Sequence, residues 1–122
     1  RLLARAFARA DRDPYIADSF GWARLKLGDI EGARRLIEQA RAELDPKTHW
    51  EIEDHLGDIH WYQGDEDEAR AAWERALTEY PPEDKRALIA EKLANGLTEP
   101  APEARPLPDV SLDAGAVDQQ DI

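Results

Sequence analysis

The chain contains no cysteine. That removes disulfides, thiolate metal sites and cysteine nucleophiles. Serine occurs only as Ser19 and Ser111, and neither sits in a strand-to-helix elbow with a histidine and an acid placed to serve it. Glycine is scarce, with seven residues, and none builds a Gly-rich phosphate loop. No apolar run approaches the roughly 20 residues that span a bilayer, and no secretory leader precedes the first helical pattern. Positive charge is short: 16 Lys and Arg face 27 Asp and Glu, a net charge of −11. Nucleic acid and anionic membrane surfaces would repel such a molecule. Sheet-like alternation of β-branched residues is missing as well. The chain opens without an initiator methionine, inside a helical pattern, which predicts a fragment of a longer protein.

What is present is a repeat. Gly21, Gly28, Asp29, Ala33 and Ala40 return 36 residues later as Gly57, Gly64, Asp65, Ala69 and Ala76. Ile16 and Asp18 likewise return as Ile52 and Asp54. A period between about 20 and 50 residues signals stacked structural units. Within each unit the apolar spacing is helical. Residues 1–12 carry Leu2, Leu3, Ala6, Phe7 and Ala10 on one stripe, which predicts the second helix of a preceding repeat. Asp13-Pro14 then starts a helix, with Asp as cap and Pro at the first helical position. Its expected inner stripe is Ile16, Ala17, Phe20, Ala23 and Leu27, ended by Gly28. Asp29 is expected to cap a helix over 30–44 with Ala33, Leu36, Ile37, Ala40 and Leu44 inward.

Asp45-Pro46-Lys47 leads into the second unit, where Thr48 and Glu51 have the spacing of a capping box. That helix is expected over about 49–63, stopped by Gly64. Asp65 should cap the next, with Ala69, Ala72, Trp73, Ala76 and Leu77 inward, and Pro81-Pro82 stops it. Trp50 is expected to plug the junction with Leu44. A last helix over 83–95 carries Ala87, Leu88, Ala90, Leu93 and Ala94. Leu93 and Pro100 stand there where Gly21 and Gly28 stood, so this helix reads as a cap with one face in water. Residues 98–122 hold four of the eight prolines, and six acids against Arg105 alone. They read as an extended acidic tail.

These residues resemble the tetratricopeptide repeat (TPR) family, a helix–turn–helix unit of about 34 residues. Phe20-Gly21, Gly28, Ala33, Ile37 and Ala40 carry the resemblance in one repeat. Leu56-Gly57, Gly64, Ala69, Trp73, Ala76 and Pro81 carry it in the other. The sequence departs from the family pattern at Ala17 and Glu53, where an early Trp is usual, and at Arg24 and His60, where a Tyr is usual. The resemblance implies an all-α, right-handed solenoid. Its repeat domain covers residues 1–97 as a half repeat (1–12), two full repeats (14–45 and 49–80) and a capping helix (83–95), with the tail at 98–122. DPYIADSFGW and EDHLGDIHW look like carboxy-terminal repeats of bacterial TPR proteins, which leaves bacterial cytoplasm and periplasm both open.

The resemblance also implies a function: non-catalytic binding of a protein or peptide in a concave groove lined by the first helix of each repeat. Register places Tyr15, Asp18, Trp22, Leu25 and Lys26 there from one helix, and Glu51, Asp54, Asp58, Trp61 and Tyr62 from the next. Three aspartates stand where the family's carboxylate clamp needs Lys, Asn and Arg. The expected ligand is therefore an extended segment, basic or proline-containing, with Trp22 and Trp61 as anchors. Glu51, Asp54, His55 and Asp58 form a stripe with metal-compatible spacing. Yet His60 falls on another face and no HExxH is present, so a solvated acidic face is expected, without metal or cofactor. The alternatives are a structural end-cap, self-association through the stripe at 1–12, and a regulatory appendage to an upstream catalytic domain.

Overall fold

In the computed structural model, residues 13–104 are described; the expected half-repeat at 1–12 and the tail beyond 104 lie outside them. Five helices follow one another: α1 (Pro14–Lys26), α2 (Ile30–Leu44), α3 (Trp50–Tyr62), α4 (Glu66–Thr78) and α5 (Glu83–Asn95). They pack in consecutive pairs. α1 lies on α2 and α3 on α4, while α2 against α3 and α4 against α5 join one unit to the next.

The two turns inside the pairs are made alike. In the first, Gly28 has φ +84°, and the Asp29 amide reaches back to the Arg24 carbonyl at 2.9 Å. In the second, Gly64 has φ +88°, and the Asp65 amide reaches the His60 carbonyl at 2.9 Å. A positive φ of this kind closes a helix at little cost only where no Cβ is present. The caps differ. Asp13 Oδ1 accepts from the Tyr15 amide at 2.9 Å, and Asp29 Oδ1 from the Gly32 amide at 2.9 Å. Asp65 holds the cap position of α4 without a side-chain bond. At α3 the expected Thr48–Glu51 box is replaced. His49 caps by accepting from the Glu51 amide at 3.2 Å, and Thr48 Oγ1 donates instead to Glu53 at 2.6 Å. A buried carboxylate needs that donor more than a solvated helix end does.

Packing within each pair turns on one glycine. A Cβ on Gly21 would strike the Ile37 side chain, and one on Gly57 would strike the Trp73 indole. Ile37 and Trp73 are both fully buried. Around them lie two apolar groups. Ala17, Leu25, Ile37, Ile52, Leu56 and Ile59 join α1 and α2 to α3. Ala69, Trp73 and Ala76 lie under the cap, which contributes Ile89 to the same group.

Three expectations need correction. In α1 the buried line is Ala17, Gly21 and Leu25, one residue per turn, while Ala23 and Leu27 face water. Leu25 therefore belongs to the core rather than the groove. Trp50 packs with the Trp73 cluster, whereas Leu44 packs with the other. In α5 only Ile89 is buried, and Ala87, Leu88, Ala90 and Ala94 are exposed. The cap sits on a narrow line of Ile89 and Leu93, continued by Leu97 beyond the helix.

Candidate functional site

α1 and α3 run side by side, so the face bearing positions 15, 18, 22 and 26 adjoins the face bearing 51, 54, 58 and 62. Both faces are built by residues three and four apart. α5 flanks them from the far side, and it brings a residue that the sequence reading did not place there, Lys92.

Burial reorders the expected acids. Asp18 is only 4% exposed and pairs with Nδ1 of His55 at 2.8 Å, joining α1 to α3. Asp58 is also 4% exposed. Its Oδ1 accepts from the Trp73 indole at 3.2 Å and from Lys92 at 3.0 Å. Asp54, half-buried, accepts from the same Lys92 ammonium at 2.9 Å. One ammonium thus serves two carboxylates. Burial pushes the Asp58 carboxyl up, and Asp54 adds to the rise against the opposing pull of Lys92. Lys92 also rises: burial alone would lower it, but two carboxylates together hold its proton. The two directions agree with that stoichiometry, since each acid has half a partner and the lysine has two.

The expectation of an open, solvated acidic groove is therefore corrected for Asp18, Asp54 and Asp58. Their charges are spent on holding α1, α3 and α5 together. Glu51 is the exposed acid of the set, and it makes no ion pair among the described residues.

The aromatic residues are partly engaged as well. The Trp22 ring stacks on His55, with centroids 4.2 Å apart and planes at 13°. Lys26 Nζ stands 4.6 Å from the centroid of the same ring. With the imidazole against one face, the ammonium takes the other. Tyr15 is more than half exposed and meets His49 edge-on at 5.2 Å. Trp61 packs on Trp73 with centroids 5.8 Å apart, beneath the Arg70 guanidinium at 5.2 Å. It also abuts Gly96, where a Cβ would strike its ring. Tyr62 is half-buried, and burial, then the charges of Asp58 and Glu99, raise its phenol.

Between α1, α3 and α5 a cavity of about 190 Å³ remains. Trp22, Trp50, Leu88 and Ile89 make its apolar walls, and Glu51 and Lys85 contribute opposite charges. A wider cleft of about 770 Å³ opens between the repeats, beside Arg34, Arg41 and Arg75 but also Glu38, Asp65 and Glu68. Its mixed charges select no single sign of ligand. Asp18, Glu51 and His55 each bring a ligand atom within 4.8 Å of the others. Asp18 enters this group from α1, while Asp54 and Asp58 of the expected stripe turn to Lys92. His55 Nδ1 is already taken by Asp18, so the group is first of all a hydrogen-bonded pair with an exposed neighbour.

One buried acid was missed. Glu53 is fully buried and accepts from Thr48 Oγ1 at 2.6 Å, Arg41 Nε at 2.7 Å and Arg75 Nε at 2.8 Å. Burial drives its carboxyl up, but the bonds from Thr48, Arg75 and Arg41 outweigh that and hold it below the ordinary value. The signal was available: Glu53 stands 36 residues after the core alanine Ala17.

Paired antiparallel helices with a glycine at each contact, a glycine stop at each turn and a capping helix define a helical-repeat solenoid. The profile of the tetratricopeptide repeat-like domain matches residues 15–98. The chain belongs to that family, whose members generally act as protein–protein interaction modules and are typically non-catalytic. Neither a curated protein nor a solved structure gives a significant match. Among the described residues no helix is long and apolar enough to cross a membrane.

Proposed function

We propose that this domain binds an extended peptide segment of a partner protein along α1 and α3. An apolar or proline side chain of the segment enters between Trp22 and Trp50, and a basic residue meets Glu51. The observation that carries this reading is the cavity itself, where aromatic walls and the exposed acid Glu51 come together. Tyr15, Lys26 and Tyr62 extend the same face towards its two ends. Asp18, Asp54 and Asp58 contribute as the framework that fixes Trp22 and Lys92, and Trp61 contributes as support for the cap. The net charge of −11 adds a long-range preference for a basic partner, which salt screens.

The test is a titration of proline-containing peptides, lysine-rich against glutamate-rich, at two salt concentrations. Tighter binding of the basic series, weakened by salt and by Glu51→Gln, is expected. Glu51 is exposed, so its replacement leaves stability within about 0.5 kcal/mol. Preference for the acidic series, or indifference to Glu51→Gln and Trp22→Phe together, would overturn the proposal.

A further inference from the structure

The chain does not stop at the cap; it turns back over the repeats. Leu97 is half-buried against the Trp73 cluster. Glu99 lies near enough to Tyr62 for its charge to act on the phenol. Ala101 and Pro102 are half-buried. The backbone of Glu103 and Ala104 then arrives at the α1–α2 turn, where a Cβ on Gly28 would strike both residues. Residues 97–104 therefore cross from the end of α5, past the end of α3, to the end of α1. Eight extended residues span about 25 Å, which suits that path. Gly64, the equivalent of Gly28, has the same backbone conformation and nothing within 4 Å. Among the described residues, one of two matched turns is covered and the other is not.

Charge does not explain the covering. Arg24 and Lys26 stand in the last turn of α1 and Lys92 lines the same cleft as Glu99, yet neither Glu99 nor Glu103 makes an ion pair among the described residues. Shape does: apolar Leu97 and Pro102, and a backbone that fits only against a glycine. A contact held by shape, without ion pairs to fasten it, is exchangeable. Its advantage over a free competitor is tethering, which gives a short linked segment a millimolar effective concentration.

We propose that the surface across the carboxy ends of α1 and α3 is a docking site for an extended, proline-containing segment. Residues 97–104 fill it in cis, and a partner segment of the same form gains it by displacing them. The inference rests on the groove reading above, because a ligand running from Trp22 towards Lys26 and Tyr62 meets these residues.

The lack of cysteine makes a direct test simple. Ala104→Cys in the full chain is labelled with a nitroxide, and the amides of Leu27 to Asp29 are followed by NMR. Strong broadening is expected in the otherwise unchanged chain and in Gly64→Ala, and its loss in Gly28→Ala. The two glycine variants share the same backbone strain, so their difference isolates the contact. Pro102→Asp, which leaves the repeats untouched, should abolish broadening as Gly28→Ala does. Absent broadening, or equal broadening in both glycine variants, overturns the docking.

A synthetic lysine- and proline-containing peptide, followed by tryptophan fluorescence, is then added. It should relieve the broadening as it saturates. It should also bind Pro102→Asp more tightly, by about tenfold if the segment is docked nine-tenths of the time. Equal affinity with persistent broadening sinks the displacement and spares the groove reading. Binding to neither form removes the groove reading, and the displacement with it.

Discussion

α1 and α3 occupy equivalent places in their repeats, yet their interiors differ in kind. α1 buries Ala17, Asp18, Gly21 and Leu25, so one charged residue goes inside. α3 buries Ile52, Glu53, His55, Leu56, Gly57, Asp58 and Ile59, so two acids and an imidazole go inside. Position explains the contrast. α3 is the middle element, and four of its polar residues reach its neighbours: Glu53 to α2 and α4, His55 to α1, Asp54 to α5, and Asp58 to α4 and α5. Polarity on such a helix marks joints first. Residues available to a ligand are those left over once the joints are made, which here are Tyr15, Glu51 and the open side of the Trp22–Trp50 cavity.

The largest expected effect sharpens the contrast between the packing residues. Trp73→Ala should cost about 3–5 kcal/mol, and Ile37→Val in the first repeat about 0.5–1.5 kcal/mol, by urea denaturation. Trp73→Ala also strips a donor from the buried Asp58. Ala69→Glu should rank with Trp73→Ala, because Ala69 is fully buried where α4 meets its neighbours. A midpoint for Trp73→Ala no lower than that of Ile37→Val would show that the two repeats do not share one register.

Next comes the joint between repeats. Glu53→Ala should cost about 1–3 kcal/mol, moderated because Arg41 and Arg75 are themselves partly exposed and can return to water. Replacing its repeat equivalent, Ala17→Gly, should cost about 1 kcal/mol. The Glu53 carboxyl is held below its ordinary 4.5. Its contribution is therefore complete above that value and is lost as pH falls through the lower folded value. An acid melting series in which the wild-type and Glu53→Gln curves fail to converge at low pH would break this account.

Lys92 supplies a third, alkaline test. Its folded pKa lies above the ordinary 10.5, so its stabilisation is present below 10.5 and disappears as pH rises through the folded value. Lys92→Gln should loosen α5 more than α2, seen as faster amide exchange in Ile89 to Leu93. Uniform exchange across both helices would deny that the cap is fastened by this ammonium. The smallest effect belongs to Glu51→Gln, near zero in stability and visible only in peptide affinity.

Most of the architecture was legible. The 36-residue recurrence of Gly21, Gly28, Ala33 and Ala40 carries the helix–turn–helix plan, because Gly21, Ala33 and Ala40 lie at close helix contacts that admit only a small side chain and Gly28 takes a positive φ. The candidate site was legible only in part. Register placed positions 18, 54 and 58 towards the groove, but register says nothing about what comes to meet them. His55 from the adjoining face and Lys92 from the cap took those acids out of solvent. In the repeat register Lys92 stands where Phe20 and Leu56 stand, so the pattern assigns that place to an apolar residue and not to a partner for the groove acids. Glu53 was visible as a charge at an alanine position and was passed over as a departure from the family pattern.

Both oxygens of Glu53 are in use, one towards Arg75 and the other towards Arg41 and Thr48. A carboxylate gripped from two helices acts as a strut, because a change in the angle between repeats would have to stretch charge-assisted bonds inside the protein. The curvature of the array is then set before any ligand arrives. For a peptide bound along α1 and α3 as proposed, the angle between the repeats is already fixed, so none of its binding energy is consumed in setting that angle.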